Sequence, residues 1–219
     1  MVEDKYRLGN LKALLFDLDG TLIEPSIDFA QMRRAVIALA DKYGFQSPDL
    51  ERMYVLEIVR YVQAHLEDAG QRFAQEAEEA IEAIELEAAE RVAAYPGVLQ
   101  LLEGLRRRGF GVAIVTRNCR RAVLSILQRI PLAHDVLLTR DDIEHVKPDP
   151  RHLLAALQRL RVAGEESAMC GDHPMDILAG KQVHARTVGV LQAGSPRDYF
   201  DAVAPDLVLE RVTDLCYYL

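Results

Sequence analysis

Six short runs of mostly apolar, β-prone residues recur along the chain: KALLFD at 12–17, GVAIVT at 111–116, HDVLLT at 134–139, SAMCGD at 167–172, RTVGVL at 186–191 and DLVLE at 206–210. Between them, at about 97–108, 119–130, 150–162, 174–182 and 196–203, the pattern changes to that of helices. Mostly apolar strands alternating with helices predict an α/β fold whose parallel sheet is covered on both faces. Right-handed crossovers then bring the strand C-termini to one edge, where open sheets of this kind hold their ligands.

The stretch from about Pro25 to Ala94 breaks this rhythm and predicts three helices, at about 28–43, 49–68 and 71–93. In the third, Phe73, Ala77, Ile81, Ile84, Ala88 and Val92 recur at three- to four-residue spacing and form one apolar face. Glu76, Glu79, Glu82, Glu87 and Glu90 occupy much of the rest, and the ordinary reading of such glutamates is a solvated face. Pro96 and Gly97, in YPGV, punctuate the return to the strand–helix pattern. The expected organisation is an α/β core over 1–24 and 95–219 with a helical module, 25–94, inserted after the first strand. No internal repeat or low-complexity tract is visible.

With 219 residues, half of them apolar, the chain has enough material for a substantial core. Lys and Arg number 26 against 34 Asp and Glu, a net charge of -8 without any basic run. That balance argues against a general nucleic-acid binder or an anionic-membrane binder, while a small anionic substrate in a local pocket stays compatible with it. The opening MVEDKYRLGN lacks the apolar core of a signal peptide, and no later run reaches membrane-spanning length. Cys119, Cys170 and Cys216 are far apart and show no metal-binding spacing. Buried structural thiols in a reduced, cytoplasmic compartment are the expectation.

The first apolar run ends in LLFDLDGTL, on two carboxylates, Asp17 and Asp19, with no basic neighbour in sequence. The second ends at Thr116 in VTRN, and the fourth at Asp172 in CGDHPMD, with Asp176 four residues on. In a parallel sheet these ends meet at one edge, and Lys147 in VKPDP, on the loop before the next helix, can reach the same place. Carboxylates gathered there need a cation. A hard divalent ion such as Mg²⁺ takes oxygen ligands and would hold Asp17 ionised beside its acidic neighbours. Lys147 and the Thr116 hydroxyl then suit a second anionic group, and the whole set suggests phosphoryl transfer.

DLDGT, VTRN, KPDP and GDHPMD, in that order and each at a strand end, resemble the motifs of the haloacid dehalogenase superfamily. The branch is that of the phosphoglycolate-phosphatase-like and β-phosphoglucomutase-like enzymes, and the match covers about 11–23 and 95–210. The resemblance implies a Rossmann-like parallel sheet core, with 25–94 in the position of the family's helical cap. It implies Asp17 as a nucleophile that forms an aspartyl phosphate. Asp19 would be general acid and base, with its backbone carbonyl on the metal. Thr116 and the backbone N–H groups of Leu18 and Arg117 would bind phosphate. Lys147 would neutralise charge, Asp172 would complete the metal ligands, and Asp176 would stand behind them, through a water or against Lys147.

The second aspartate of DLDGT separates this pattern from the dehalogenases and favours phosphate esters. A Mg²⁺-dependent phosphatase acting on a small phosphorylated metabolite is expected. A phosphosugar mutase and a non-catalytic binding or regulatory protein on the same fold are the alternatives, and the oligomeric state is left open. A phosphonatase would need a cap lysine, and the insert offers only Lys42. Arg117 stands where relatives commonly carry Asn, followed here by Asn118, and the segment after DGT also departs from the usual pattern. Both differences bear on the substrate and leave the phosphoryl chemistry untouched. Arg33 leads the cap candidates for substrate recognition because a guanidinium can clamp a carboxylate or phosphate, with Arg34, Tyr54, Arg60 and His65 behind it and Asn118 beside the core motifs. For each cap residue an exposed helix position is the ordinary reading. His173 is expected to shape its loop, since Mg²⁺ prefers oxygen.

Overall fold

The computed structural model describes residues 8–196 and 198–219; most of the N-terminal segment discussed above, and position 197, lie outside them. The chain divides into two units, one running to Pro25 and resuming at Val92, the other Ser26–Arg91.

In Ser26–Arg91 the helices are α1 (Phe29–Lys42), α2 (Val55–His65) and α3 (Gly70–Ala89). Asp28 starts α1 by accepting the Gln31 N–H at 2.8 Å, a side-chain cap for an otherwise orphaned donor. The continuous helix expected over 49–68 is broken at both ends. Pro48–Arg52 forms a 3-10 turn, Met53 and Tyr54 are extended, and Glu67 takes a left-handed φ of 40° in the 3-10 turn before α3. Buried Leu50 and the Ser47 side chain, which accepts the Asp49 N–H, hold the first turn apart from α2. The buried face of α3 also differs from expectation. Phe73, Ala77, Ile81 and Ala88 are buried as the spacing requires, but Glu85 is buried with them while Ile84 is only partly covered.

In the other unit, the six apolar runs form β1 (Ala13–Phe16), β2 (Gly111–Val115), β3 (Val136–Leu138), β4 (Ser167–Gly171), β5 (Arg186–Val190) and β6 (Leu207–Leu209). Every neighbouring pair is parallel, in the order β3-β2-β1-β4-β5-β6. The helices are α4 (Val98–Arg107), α5 (Arg120–Arg129), α6 (Arg151–Leu160) and α7 (Pro174–Gln182). Leu15, Ala113, Val115 and Met169 from the strands close one core layer with Leu153, Ala156 and Leu157 of α6 and Ala179 of α7. A helix expected at 196–203 does not form among its described residues, which run as turns. Phe200 anchors them by packing where a side chain on Gly189 would otherwise stand, its Cε2 only 2.7 Å from that Cβ position.

The junction between the units lies a few residues earlier than the sequence suggested. Glu24 N–H donates to the Ala93 carbonyl at 2.8 Å and Tyr95 N–H to that of Leu22 at 3.1 Å, so Val92–Ala94 pairs with the strand side of the chain. Among the described residues, no helix is long and apolar enough to cross a membrane. Cys119 and Cys170 are buried, but Cys216 is exposed, against the expectation of three buried thiols.

Candidate active site

Strand β1 lies between β2 and β4, so the chain leaves the sheet centre in both directions, the topology in which open α/β sheets hold ligands at the C-terminal edge. Phe16 is level with Ile114 and Cys170. Asp17, Thr116 and Asp172 each lie one residue beyond the end of their strand, at the same edge. The Asp17 N–H is fixed by the Cys170 carbonyl at 2.9 Å.

Lys147, on the loop that leads into α6, is essentially fully buried, with 1% of its side chain exposed. Its Nζ donates to Asp17 Oδ1 at 2.7 Å and stands 2.7 Å from Asp176 Oδ1. Both contacts are buried ion pairs of the same length. Burial works against the ammonium, but the two carboxylates more than offset it and hold Lys147 above its ordinary pKa. The Lys147 N–H donates to His152 Nδ1 at 3.3 Å, and the Arg117 guanidinium donates to the Lys147 carbonyl, so the loop is held from two sides.

Asp176 is placed by the start of α7. Its Oδ2 accepts the His173 N–H at 3.1 Å, while His173 Nδ1 accepts the Met175 N–H at 3.2 Å, a reciprocal cap. His173 thus shapes the loop, as expected of it. Asp172 accepts from Gln192 Nε2 at 3.0 Å and from the Thr21 hydroxyl at 3.4 Å.

One carboxylate oxygen each from Asp17, Asp172 and Asp176 lies within 4.8 Å of the others. Two of the three acids, Asp17 and Asp176, flank the Lys147 ammonium, and the cluster keeps a surplus of negative charge. Burial, reinforced by the charges of Asp17 and Asp176, pushes Asp172 up to about 8. Burial also pushes Asp176 up to about 6 in spite of Lys147. An all-oxygen donor set that resists ionisation for want of positive charge fits a hard divalent cation such as Mg²⁺. Asp176 lies in this cluster and stands against Lys147, one of the two places the sequence offered it.

Asp19 turns elsewhere. Its Oδ2 accepts from Asn118 Nδ2 at 2.6 Å, and the Asn118 N–H donates to Thr116 Oγ1 at 3.2 Å. Gly20 follows at φ +73°, where a Cβ would stand 2.0 Å from Gln192 Nε2 and 2.4 Å from Asp172 Oδ2, so the turn admits only glycine. Leu18 is buried between the two aspartates. Asn118, a candidate for substrate contact, spends its amide on Asp19. Arg33 lies on α1 in the helical unit and donates to the Glu51 carbonyl at 3.0 Å. Sequence reasoning missed Gln192 and Tyr95, whose partners are distant in the chain, and His152, whose partner Lys147 is only five residues away but pairs through its backbone N–H; no local pattern marks them.

Comparison with known proteins agrees with this layout. The family model described as haloacid dehalogenase-like hydrolase matches residues 11–184. The chain is 37% identical over 128 residues to the pyrophosphatase PpaX of Bacillus mycoides (strain KBAB4), covering 58% of this chain and 60% of that relative. It is 38% identical over 128 residues to PpaX of Bacillus thuringiensis (strain Al Hakam), covering 58% and 59%. The chain thus matches about 60% of the length of these curated relatives. Two solved structures share the fold: a hydrolase from Pseudomonas syringae (TM-score 0.69, 24% identity, 94% of this chain and 97% of that one) and a HAD phosphatase from Thermococcus onnurineus (TM-score 0.62, 24% identity, 94% and 97%).

Proposed function

The chain belongs to the haloacid dehalogenase-like hydrolases, and from that premise we propose that it is a Mg²⁺-dependent phosphatase that cleaves a small phosphorylated metabolite through an aspartyl phosphate on Asp17. The observation that carries the reading is the cluster of Asp17, Asp172 and Asp176, two of which, Asp17 and Asp176, flank one buried ammonium, while Asp19 pairs with Asn118.

In the first half of the reaction an Asp17 oxygen attacks phosphorus, the bond to the leaving alcohol breaks, and Asp19 gives that oxygen its proton. In the second half Asp19 takes a proton from water, whose oxygen attacks phosphorus, and inorganic phosphate leaves with Asp17 regenerated. Lys147 neutralises Asp17 as the anionic group approaches, and Thr116 stands at the same edge to bind a non-bridging oxygen. Asp17 and Asp172, with the Asp19 backbone carbonyl, would hold the divalent ion, which when bound supplies the charge that lets a carboxylate meet a phosphate. Asp176 holds Lys147. The helical unit is assigned the part of a cap that selects the substrate, Arg33 first among its residues. The three thiols, free in the structure, suit a cytoplasmic setting.

The reading is tested by phosphate release from a panel that includes phosphoglycolate, pyrophosphate and phosphosugars, with Mg²⁺ and with excess EDTA. Magnesium-dependent release from a small phosphorylated compound supports it. Conversion of a phosphosugar to its isomer without release identifies a mutase. No turnover of any compound by folded, metal-loaded protein rejects the catalytic reading for this substrate class.

A further inference from the structure

Gln192 lies two residues beyond β5, outside the four motifs, yet its amide touches both of the loops that carry their carboxylates. Nε2 donates to the Gly20 carbonyl at 2.7 Å and to Asp172 Oδ2 at 3.0 Å. On the other side of the amide, Oε1 accepts the Tyr95 hydroxyl at 3.1 Å. This arrangement fixes which way the amide faces. A flipped amide would set its carbonyl against the Gly20 carbonyl, which cannot donate, and would give up the NH₂ bond to Asp172, whereas the phenol can pair with either end. Tyr95 is anchored in turn, its N–H on the Leu22 carbonyl at 3.1 Å.

We infer that Gln192 is a positioning residue for the metal ligand Asp172, and that Tyr95 acts through it by anchoring the far end of the amide. A carboxylate that coordinates a cation needs its remaining lone pairs directed, and groups behind a ligand tune affinity through that orientation. Gln192 ties Asp172 to the turn that follows Asp19, so two loops from different strands keep one spacing. Both polar ends of its side chain are engaged by the protein, which separates this role from direct substrate contact. The inference rests on the metal-dependent reading above, and it concerns the protein's own residues around the ion.

The test is direct Mg²⁺ titration without substrate, by calorimetry, on the wild-type chain, Gln192→Met, Tyr95→Phe and the double variant. Each is also melted in EDTA to verify folding. Gln192→Met should bind Mg²⁺ about 10-fold or more weakly. Tyr95→Phe, which keeps the ring and loses one hydrogen bond, should bind about threefold more weakly. The double variant should match Gln192→Met, because Tyr95 has nothing to act through once the amide is gone. A purely structural role would lower the metal-free melting temperature and leave affinity and this non-additivity unmoved. Affinity within twofold of wild type for Gln192→Met overturns the inference, and additive effects of the two substitutions overturn the part given to Tyr95. Should Gln192→Met fail to fold, unchanged affinity in Tyr95→Phe overturns it instead. Wild-type protein that binds no Mg²⁺ sinks the metal-dependent reading and this inference together; wild-type binding with unaffected variants sinks this inference alone.

Discussion

The Lys147 ammonium stands 2.7 Å from an oxygen of Asp17 and 2.7 Å from an oxygen of Asp176, buried between the two. A single cation thereby joins the loop before α6 to the end of β1 and the first turn of α7. Replacing it with the similarly long, uncharged methionine should leave buried carboxylates without their partner. Lys147→Met is expected to lower kcat by about 10²–10³-fold, the scale of losing one preorganised charge-stabilising group. It should also destabilise the metal-free protein by about 3–5 kcal/mol, the cost of breaking a buried pair from one side. Urea unfolding in EDTA measures the second effect, and unchanged stability would show that the ammonium is dispensable there.

Gly20 and Gly109 both adopt left-handed φ, at +73° and +87°, but only Gly20 is crowded. At Gly109 nothing lies within 4 Å of an added Cβ, whereas at Gly20 the Gln192 amide and Asp172 carboxylate intrude. Gly109→Ala should therefore cost about 1 kcal/mol of conformational strain and spare activity. Gly20→Ala should cost more than that and should depress Mg²⁺-dependent turnover by moving Asp172. Equal losses in the two variants would contradict the close packing of the DLDGT turn.

Asn118 holds Asp19 by its amide at 2.6 Å and reaches Thr116 through its own N–H. Only the first contact depends on the side chain. Asn118→Ala should lower kcat about 10-fold with little change in KM, because Asp19 loses its orientation but keeps its proton chemistry. Asp19→Asn should lose about 10²–10⁴-fold, the usual range for removing a general acid–base. Comparable losses in both would mean that Asn118 does more than orient Asp19.

His152 is fully buried under the Lys147 loop. Burial, helped by the positive charges of Lys147 and Arg117 and opposed by Asp142, pushes its pKa down to about 3 from an ordinary 6.5. The folded protein keeps this ring neutral where the unfolded chain would protonate it. Its contribution to stability is therefore complete above about pH 6.5 and is lost as pH falls toward 3, at about 1.4 kcal/mol per pH unit. His152→Gln should show a visibly shallower decline in unfolding free energy between pH 6 and pH 4 than wild type. Parallel curves would contradict a buried neutral histidine.

What could be read from the sequence follows the range of the interactions. The strands were legible because Asp17, Thr116 and Asp172 end apolar runs abruptly. Helix α7 falls on its expected span, 174–182, because His173, Pro174 and Asp176 cap it locally. The segment at 196–203 misled, because Phe200 is held by a space above Gly189 that no local spacing announces. Glu85 and Ile84 are neighbours, and helix periodicity alone placed the apolar one inward. Gln192 was illegible for a plainer reason. Its partners Tyr95, Gly20 and Asp172 lie 97, 172 and 20 residues away, and glutamine after a strand carries no signal of its own.

The central claim is that Asp17 is the atom donor for a covalent intermediate, and Asp17→Asn tests it most directly. The substitution preserves the shape of the side chain and removes its nucleophilic charge. With protein verified as folded, phosphate release from the best substrate in Mg²⁺ should fall to background, while the metal-free melting transition stays cooperative. Phosphate release at the wild-type rate from Asp17→Asn would contradict the aspartyl-phosphate mechanism outright.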